Sequence, residues 1–241
     1  MIMNQREINQ RNKEIWDANA KVWDEKMGEK GNDWHLNLIA PITETLLDLK
    51  PNEHLLDIGC GNGIFARRIA NEVTKVTAFD FSEENIKKAK AYGGEIDYFV
   101  IDATIIEELQ SLGNSFDKFV ANMVFMDVPE LETLFQYISN TISESGSFVF
   151  SIQHPAFNSE FTEFEENGIF VKNYIQSSTS KGTALQEQPE EQFYFHRPIS
   201  EYSRLASKYG FMISAIEEPV FNRGDIFSKI PPVLVFKLEK R

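Results

Sequence analysis

The sequence predicts an α/β protein built on one open, mostly parallel sheet of seven strands, the last antiparallel, with helices on both faces. Three observations carry this. From His54 onward, short runs rich in Val, Ile and Phe alternate with helical segments, the pattern of buried strands joined by right-handed crossovers. A glycine-rich turn, "GCGNG" at 59–63, joins the first apolar run to the first of these helices. The last two apolar runs have no helical pattern between them, so the sheet ends in an antiparallel pair at one edge.

Residues 1–50 read as helices and form an N-terminal lid, with Trp16, Ala20, Trp23 and Met27 on one helical stripe. Residues 51–153 make the core. Its strands are Leu55–Ile58, Lys75–Phe79, Ile96–Ile101, Phe116–Ala121 and Ser147–Ile152. Its helices are Ile64–Glu72, Glu83–Ala91, Ile105–Gln110 and Glu130–Ser143; Ser82 suits the cap of the second, and Pro129 the first turn of the fourth. Residues 154–195 interrupt the alternation as an inserted cap. There "FTEFEENGIFVKNYI" predicts a hairpin around Asn167-Gly168, and "QSSTSKGTALQEQPEEQ" predicts a mobile polar loop. The aromatic residues Phe157, Phe161, Phe164, Phe170, Tyr174 and Phe193 suggest that this insert covers an apolar pocket. Residues 196–241 complete the core with a helix from about Pro198, ended by Gly210, and strands Met212–Glu217 and Val233–Leu238.

Composition narrows the function. A chain of 241 residues buries a substantial core. Its longest apolar runs are too short to span a bilayer, and "MIMNQREINQRNKE" lacks the apolar core of a secretory signal. The single cysteine, Cys60, excludes an intramolecular disulfide, so a cytoplasmic protein is expected, as a monomer or weak homodimer. The formal net charge is −13, with no basic cluster longer than "ARR" or "KKAK", which argues against nucleic acid. No grouping of His, Cys and Asp suggests a metal.

In an open parallel sheet, ligands bind at the carboxyl ends of the strands. Gly59, Gly61 and Gly63 let backbone approach a ligand closely, and the following helix begins with free N–H groups. "GNGIFA" also satisfies a dinucleotide pattern with Ala in the last place. Asp57 opposes that reading, because a carboxylate repels two phosphates and attracts a cation. S-Adenosylmethionine carries an ammonium and a sulfonium and no phosphate, and its own carboxylate suits a helix N-terminus. Asp80, ending the second strand, suits both ribose hydroxyls; Asp102, ending the third, suits an adenine amino group; Phe81 suits the adenine face. Any one such Asp is equally a strand-end turn or helix cap, but three in step around a glycine turn favour a ligand site.

"LLDIGCGNG" and "VTAFDFSEENIKKAK" resemble the cofactor loop and the acidic segment of class I methyltransferases that use S-adenosylmethionine. "DKFVANMVFMDVPELETLF", "GSFVFSIQHPAF" and "YFHRPISEYSRLASKYGF" resemble a branch acting mainly on small molecules, and the likeness covers about residues 14–240. The resemblance implies a Rossmann-like sheet of seven strands with the last antiparallel. It also implies that Gly59, Cys60, Gly61, Asp80, Phe81, Asp102 and Ala103 contact the cofactor, and that Asn122 and Met123 flank its methionine end. Enzymes that methylate amide or adenine amino nitrogens often carry Asn-Pro-Pro-aromatic after the fourth strand; here the text is "NMVF". Enzymes acting at cytosine C5 or arsenic need cysteines outside the cofactor loop, whereas Cys60 lies inside it.

The expected reaction is in-line transfer of a methyl group to a small-molecule acceptor. If the acceptor is a hydroxyl or an acidic carbon, a base is useful. His154, just beyond the fifth strand, is one candidate, and otherwise fixes the turn into Pro155; Asp127 is a second, and otherwise caps the next helix. Arg197, beside His196, suits a substrate carboxylate or else a surface acid, and Trp16 and Trp23 suit a lid over cofactor and acceptor. Two rival readings are a non-catalytic S-adenosylmethionine-binding protein and a dinucleotide-dependent oxidoreductase.

Overall fold

The computed structural model describes residues 3–73, 75–166 and 168–241. The chain opens with α1 (Gln5–Met27), whose N-terminus is closed by a capping box: Asn4 accepts from the Glu7 N–H, and Glu7 accepts from the Asn4 N–H. A π-helical turn at His35–Ile39 runs into α2 (Ala40–Leu47). The alternating core follows as β1 (His54–Ile58), α3 (Ile64–Ile69), β2 (Lys75–Asp80), α4 (Glu83–Ala91), β3 (Ile96–Val100), α5 (Ile106–Gln110), β4 (Phe116–Asn122), α6 (Glu132–Thr141) and β5 (Ile142–Gln153). The insert contributes β6 (Thr162–Glu165), β7 (Gly168–Val171), β8 (Ser178–Gly182) and β9 (Gln192–His196). The chain ends with α7 (Ile199–Lys208), β10 (Phe211–Glu217) and β11 (Val233–Lys240).

Seven strands form one sheet in the order β10-β11-β5-β4-β1-β2-β3, and β11 runs antiparallel to both its neighbours. The pleat sends alternate residues of each strand into two cores. Leu56, Ile58, Phe119, Phe148 and Phe150 pack against α5, α6 and α7; Leu55, Val76, Val120, Val149 and Val235 pack against α2, α3 and α4. β1 pairs with β2 on one side and β4 on the other, so the strand order reverses there and the crevice at their carboxyl ends is the expected ligand position. Among the described residues, no helix is long and apolar enough to cross a membrane.

Ser82 caps α4 as expected, its side chain accepting from the Asn85 N–H. Three expectations need correction. Pro129 does not enter α6, because Arg197 holds the Val128 and Pro129 carbonyls; the Glu130 carboxylate takes the Glu132 and Thr133 N–H groups, and the helix begins only there. The polar stretch after Ile175 is not a free loop. Ser178–Gly182 pairs antiparallel with Gln192–His196, and Asn19 of α1 binds Glu190 through both its amide nitrogen and its oxygen. The β6–β7 hairpin exists, with Glu165 opposite Gly168, so Gly168 starts the returning strand; Asn167 lies outside the described residues.

Candidate functional site

The glycine turn after β1 is held by backbone hydrogen bonds: the Cys60 N–H reaches the Phe79 carbonyl, and the Gly63 N–H reaches the Cys60 carbonyl, each at 2.9 Å. Gly59 has φ +63°, and a Cβ there would stand 2.6 Å from Val124 Cγ2, so the turns after β1 and β4 meet closely. Met123 also sits in the left-handed region, at φ +58°. Its N–H is tied to Ser151 by both the carbonyl (2.9 Å) and Oγ (3.1 Å), which holds a conformation costing about 1–3 kcal/mol.

These turns wall two adjoining cavities, one larger than the other, which share Trp16, Trp23, Gly59, Gly61, Asn122, Met123 and Asp127. The smaller one is lined by Asp80, Phe81, Asp102 and Ala103. Asp80 accepts from the Gly61 and Ser82 N–H groups at 2.9 Å each, and burial pushes its carboxyl up to about 6. One Asp102 oxygen accepts from the Thr104 N–H and hydroxyl at 2.9 and 2.7 Å. The other accepts from Asn9 Nδ2 of α1 at 2.7 Å. Gly63 caps α3 at φ +78°, against Tyr98.

Asp57, Cys60 and Gly61 face the larger cavity. Asp57 is 2% exposed and its Oδ2 has no hydrogen-bond partner. Burial, with the Asp80 charge behind it, pushes its carboxyl up to about 8. Burial also pushes the Cys60 thiol well up, which disfavours the reactive thiolate. Asn122 Oδ1 accepts from Thr43 of α2 and from Ser151, leaving a buried Nδ2 without a partner. No Lys or Arg lines either cavity among the described residues. A diphosphate would therefore meet buried carboxylates with no counter-charge, whereas a cationic, phosphate-free adenosine compound fits the unpartnered Asp57 oxygen.

Asp127 closes a 3-10 turn at Phe125–Asp127, is 9% exposed, and has an Oδ1 without a partner. It does not cap α6, whose N-cap Leu131 makes no side-chain bond. Burial, then the Asp80 charge, pushes its carboxyl well up.

The structure does not bring His154, His196 or Arg197 to these cavities. His154 Nδ1 accepts from the Ala156 N–H at 3.2 Å, and Nε2 meets Glu218 at 2.9 Å, so both ring nitrogens are engaged in fixing the turn. Arg197 is buried and donates to the carbonyls of Phe125 (2.8 Å), Val128 (2.6 Å) and Pro129 (2.9 Å). Its guanidinium clamps the segment that carries Asp127 and has no fork left for a substrate carboxylate. His196 Nε2 lies 2.8 Å from the Tyr174 carbonyl.

The insert walls the larger cavity through Thr183–Gln186, Gln192 and Tyr194, and none of its six aromatics singled out from the sequence lines it. Phe157 stacks on His154, Phe161 packs edge-on against His196, and Phe193 packs with Ile15 of α1. Sequence reasoning missed Asn9, Asn85, Thr104, Val124, His35 and Tyr194 as lining residues. A signal existed for Asn9: positions 9, 12, 16, 19 and 23 repeat at three and four residues, so Asn9, Asn12 and Asn19 share the stripe of Trp16 and Trp23.

A family profile described as a methyltransferase domain matches residues 49–197, more than half of the chain. Over 225 residues the chain is 26% identical to an uncharacterized protein of Haemophilus influenzae, covering 81% of this chain and 85% of the relative. It is 28% identical over 132 residues to the ubiquinone biosynthesis O-methyltransferase of Vibrio atlanticus, a match spanning 53% of each chain. A putative S-adenosylmethionine dependent methyltransferase from Listeria monocytogenes superposes with a TM-score of 0.70 at 22% identity, over 86% of this chain and 97% of that one, and shares its fold. The profile match, and the reversal of strand order beside a glycine turn that it spans, lead to one conclusion: the chain belongs to the methyltransferase-domain family.

Proposed function

We propose that this methyltransferase takes its methyl group from S-adenosylmethionine and delivers it to a small-molecule acceptor held in the larger cavity. The observation that carries the reading is the buried, unpartnered Asp57 oxygen beside the glycine turn, in a cleft that no Lys or Arg lines among the described residues. Asp80, Phe81, Asp102 and Ala103 would hold the adenosine part. Asp57, Gly59, Cys60 and Gly61, with Asn122 and Met123, would surround the amino-acid part. Gly63, expected there from the sequence, lines neither cavity and instead turns toward Tyr98 and Arg67. When bound, the cofactor supplies a methyl group already activated for displacement.

The chain's own residues then position and shield. Trp16 and Trp23, edge to face at 5.1 Å, span both cavities and exclude water. Asp127 faces both cavities and is the one sequence candidate for a base that does so. His154 and Arg197 act as supports, and His196 anchors the insert.

Thermal shift tests the reading. A ligand at 100 times its Kd stabilises by about 2.7 kcal/mol. At this chain length that is roughly 5–10 °C. S-Adenosylhomocysteine should give such a shift and NAD none; the reverse ends the proposal. Turnover of an acceptor separates an enzyme from a cofactor binder.

A further inference from the structure

We propose that the acceptor is an amine, recognised as a cation by Asp127 between aromatic walls, and that the cavity rejects carboxylates and phosphates. The inference rests on the function proposed above and names the substrate class of that same site. Its first support is the position of Asp127: more than nine-tenths buried, Oδ1 without a partner, and facing both cavities where they join. Burial favours the neutral form of this carboxyl while the site is empty. A bound ammonium answers the carboxylate's charge and so restores its ionised, proton-accepting form.

The second support is the charge of the walls. No Lys or Arg lines the larger cavity among the described residues. Arg197, the guanidinium that braces this segment, is committed to three backbone carbonyls. Arg67, next to the glycine turn, donates to the Asn62 and Glu29 carbonyls. An anionic acceptor would therefore enter a cleft containing Asp57 and Asp127 with no cation to receive it. The third support is the aromatic lining: Trp16, Trp23, Trp34 and Tyr194 surround the space, and such rings favour organic cations over anions.

The chemistry balances. An ammonium is not a nucleophile, so it first gives one proton to Asp127 Oδ1. Burial favours the protonated form of this carboxyl, which suits it to that task. The nitrogen lone pair then forms the N–C bond as the C–S bond of the methyl donor breaks, with that bond's electron pair remaining on sulfur. The proton on Asp127 leaves to solvent, and the product is a methylated ammonium.

Calorimetric titration of the full chain saturated with S-adenosylhomocysteine tests this with probes differing only in charge. One set is tryptamine, tryptophol and indole-3-acetate; the other is phenethylamine, 2-phenylethanol and phenylacetate. At least one ammonium probe should bind tenfold or more tightly than its alcohol, with the matching carboxylate weakest. Asp127→Asn should bring that ammonium within about twofold of the alcohol and leave the alcohol's affinity unchanged. Failure of both ammonium probes to bind, or a carboxylate binding as tightly as its ammonium, overturns the proposal without recourse to any variant. So does an Asp127→Asn protein that weakens S-adenosylmethionine relative to S-adenosylhomocysteine but leaves the probe order intact, since Asp127 would then answer the donor's sulfonium. Failure of S-adenosylhomocysteine itself to bind wild-type protein sinks the cofactor reading instead, so the two failures are distinct.

Discussion

Gly61→Ala separates what the backbone demands of the glycine turn from what the ligand demands. Gly61 sits at φ +55° with its N–H on Asp80 Oδ2 at 2.9 Å. An added Cβ would lie 3.4 Å from Trp23 Nε1, at contact distance, so the fold accommodates it. The left-handed conformation costs an alanine about 1–2 kcal/mol. For a chain of this size each kcal/mol moves Tm by about 2–4 °C, so Tm should fall by about 2–8 °C. Gly210, at φ +80° and far from the cleft in sequence, supplies the control, because a Cβ added there would meet nothing within 4 Å. Gly210→Ala should show the same order of Tm loss. The two variants part at the ligand. Gly61 lines both cavities, and one methyl group pushed into a fitted contact costs about 1–3 kcal/mol. That corresponds to about a 5–150-fold loss of S-adenosylhomocysteine affinity, read by calorimetry, while Gly210→Ala keeps the wild-type value. Equal affinities in the two variants would refute the placement of the cofactor against this turn.

Arg197→Met strips donors from the Phe125, Val128 and Pro129 carbonyls and should cost about 3–5 kcal/mol in urea denaturation; a loss below about 1 kcal/mol removes the clamp from the account. Arg197→Lys should recover only part, because one ammonium cannot reproduce the planar fork. The Asp57 carboxyl, held near 8 in the folded chain and in the usual carboxylate range when unfolded, makes the folded state bind the extra proton. Its contribution to stability is therefore full at low pH and is lost as pH rises toward 8, by up to about 1.4 kcal/mol per pH unit. Asp57→Asn should gain on wild type in urea midpoint between pH 5 and 8 without ligand; a constant difference across that range contradicts the burial argument.

The sheet was legible because its signals are local and periodic. Each strand announces itself by a run such as "FDKFVAN", and the missing helix between the last two runs announces the antiparallel edge. The three carboxylates were legible because strand ends punctuate the sequence. What Asp57, Asp80 and Asp102 do there was not, since two of them spend their oxygens on Gly61, Ser82, Thr104 and Asn9, partners set by tertiary packing. Arg197 and His154 looked chemical in one dimension because Arg and His are rarely structural on a surface. Burial reversed that: the carbonyls of 125–129 and the Ala156 N–H are invisible to any pattern of side chains. The insert misled in the same way. Its polar composition resembled a free loop, but Asn19 and Gln192 give its amides and carbonyls partners that composition cannot reveal.

The stripe of α1 that faces the cleft is fastened largely by amides. Asn9 grips Asp102, Asn12 bridges the Asp127 carbonyl and the Phe193 N–H, and Asn19 holds both sides of Glu190. Each such hydrogen bond contributes about 0.5–1.5 kcal/mol. The wall that α1 gives the cleft therefore rests on several separate polar links, each tied to a different partner, beside the apolar contact of Ile15 with Phe193 and Phe195.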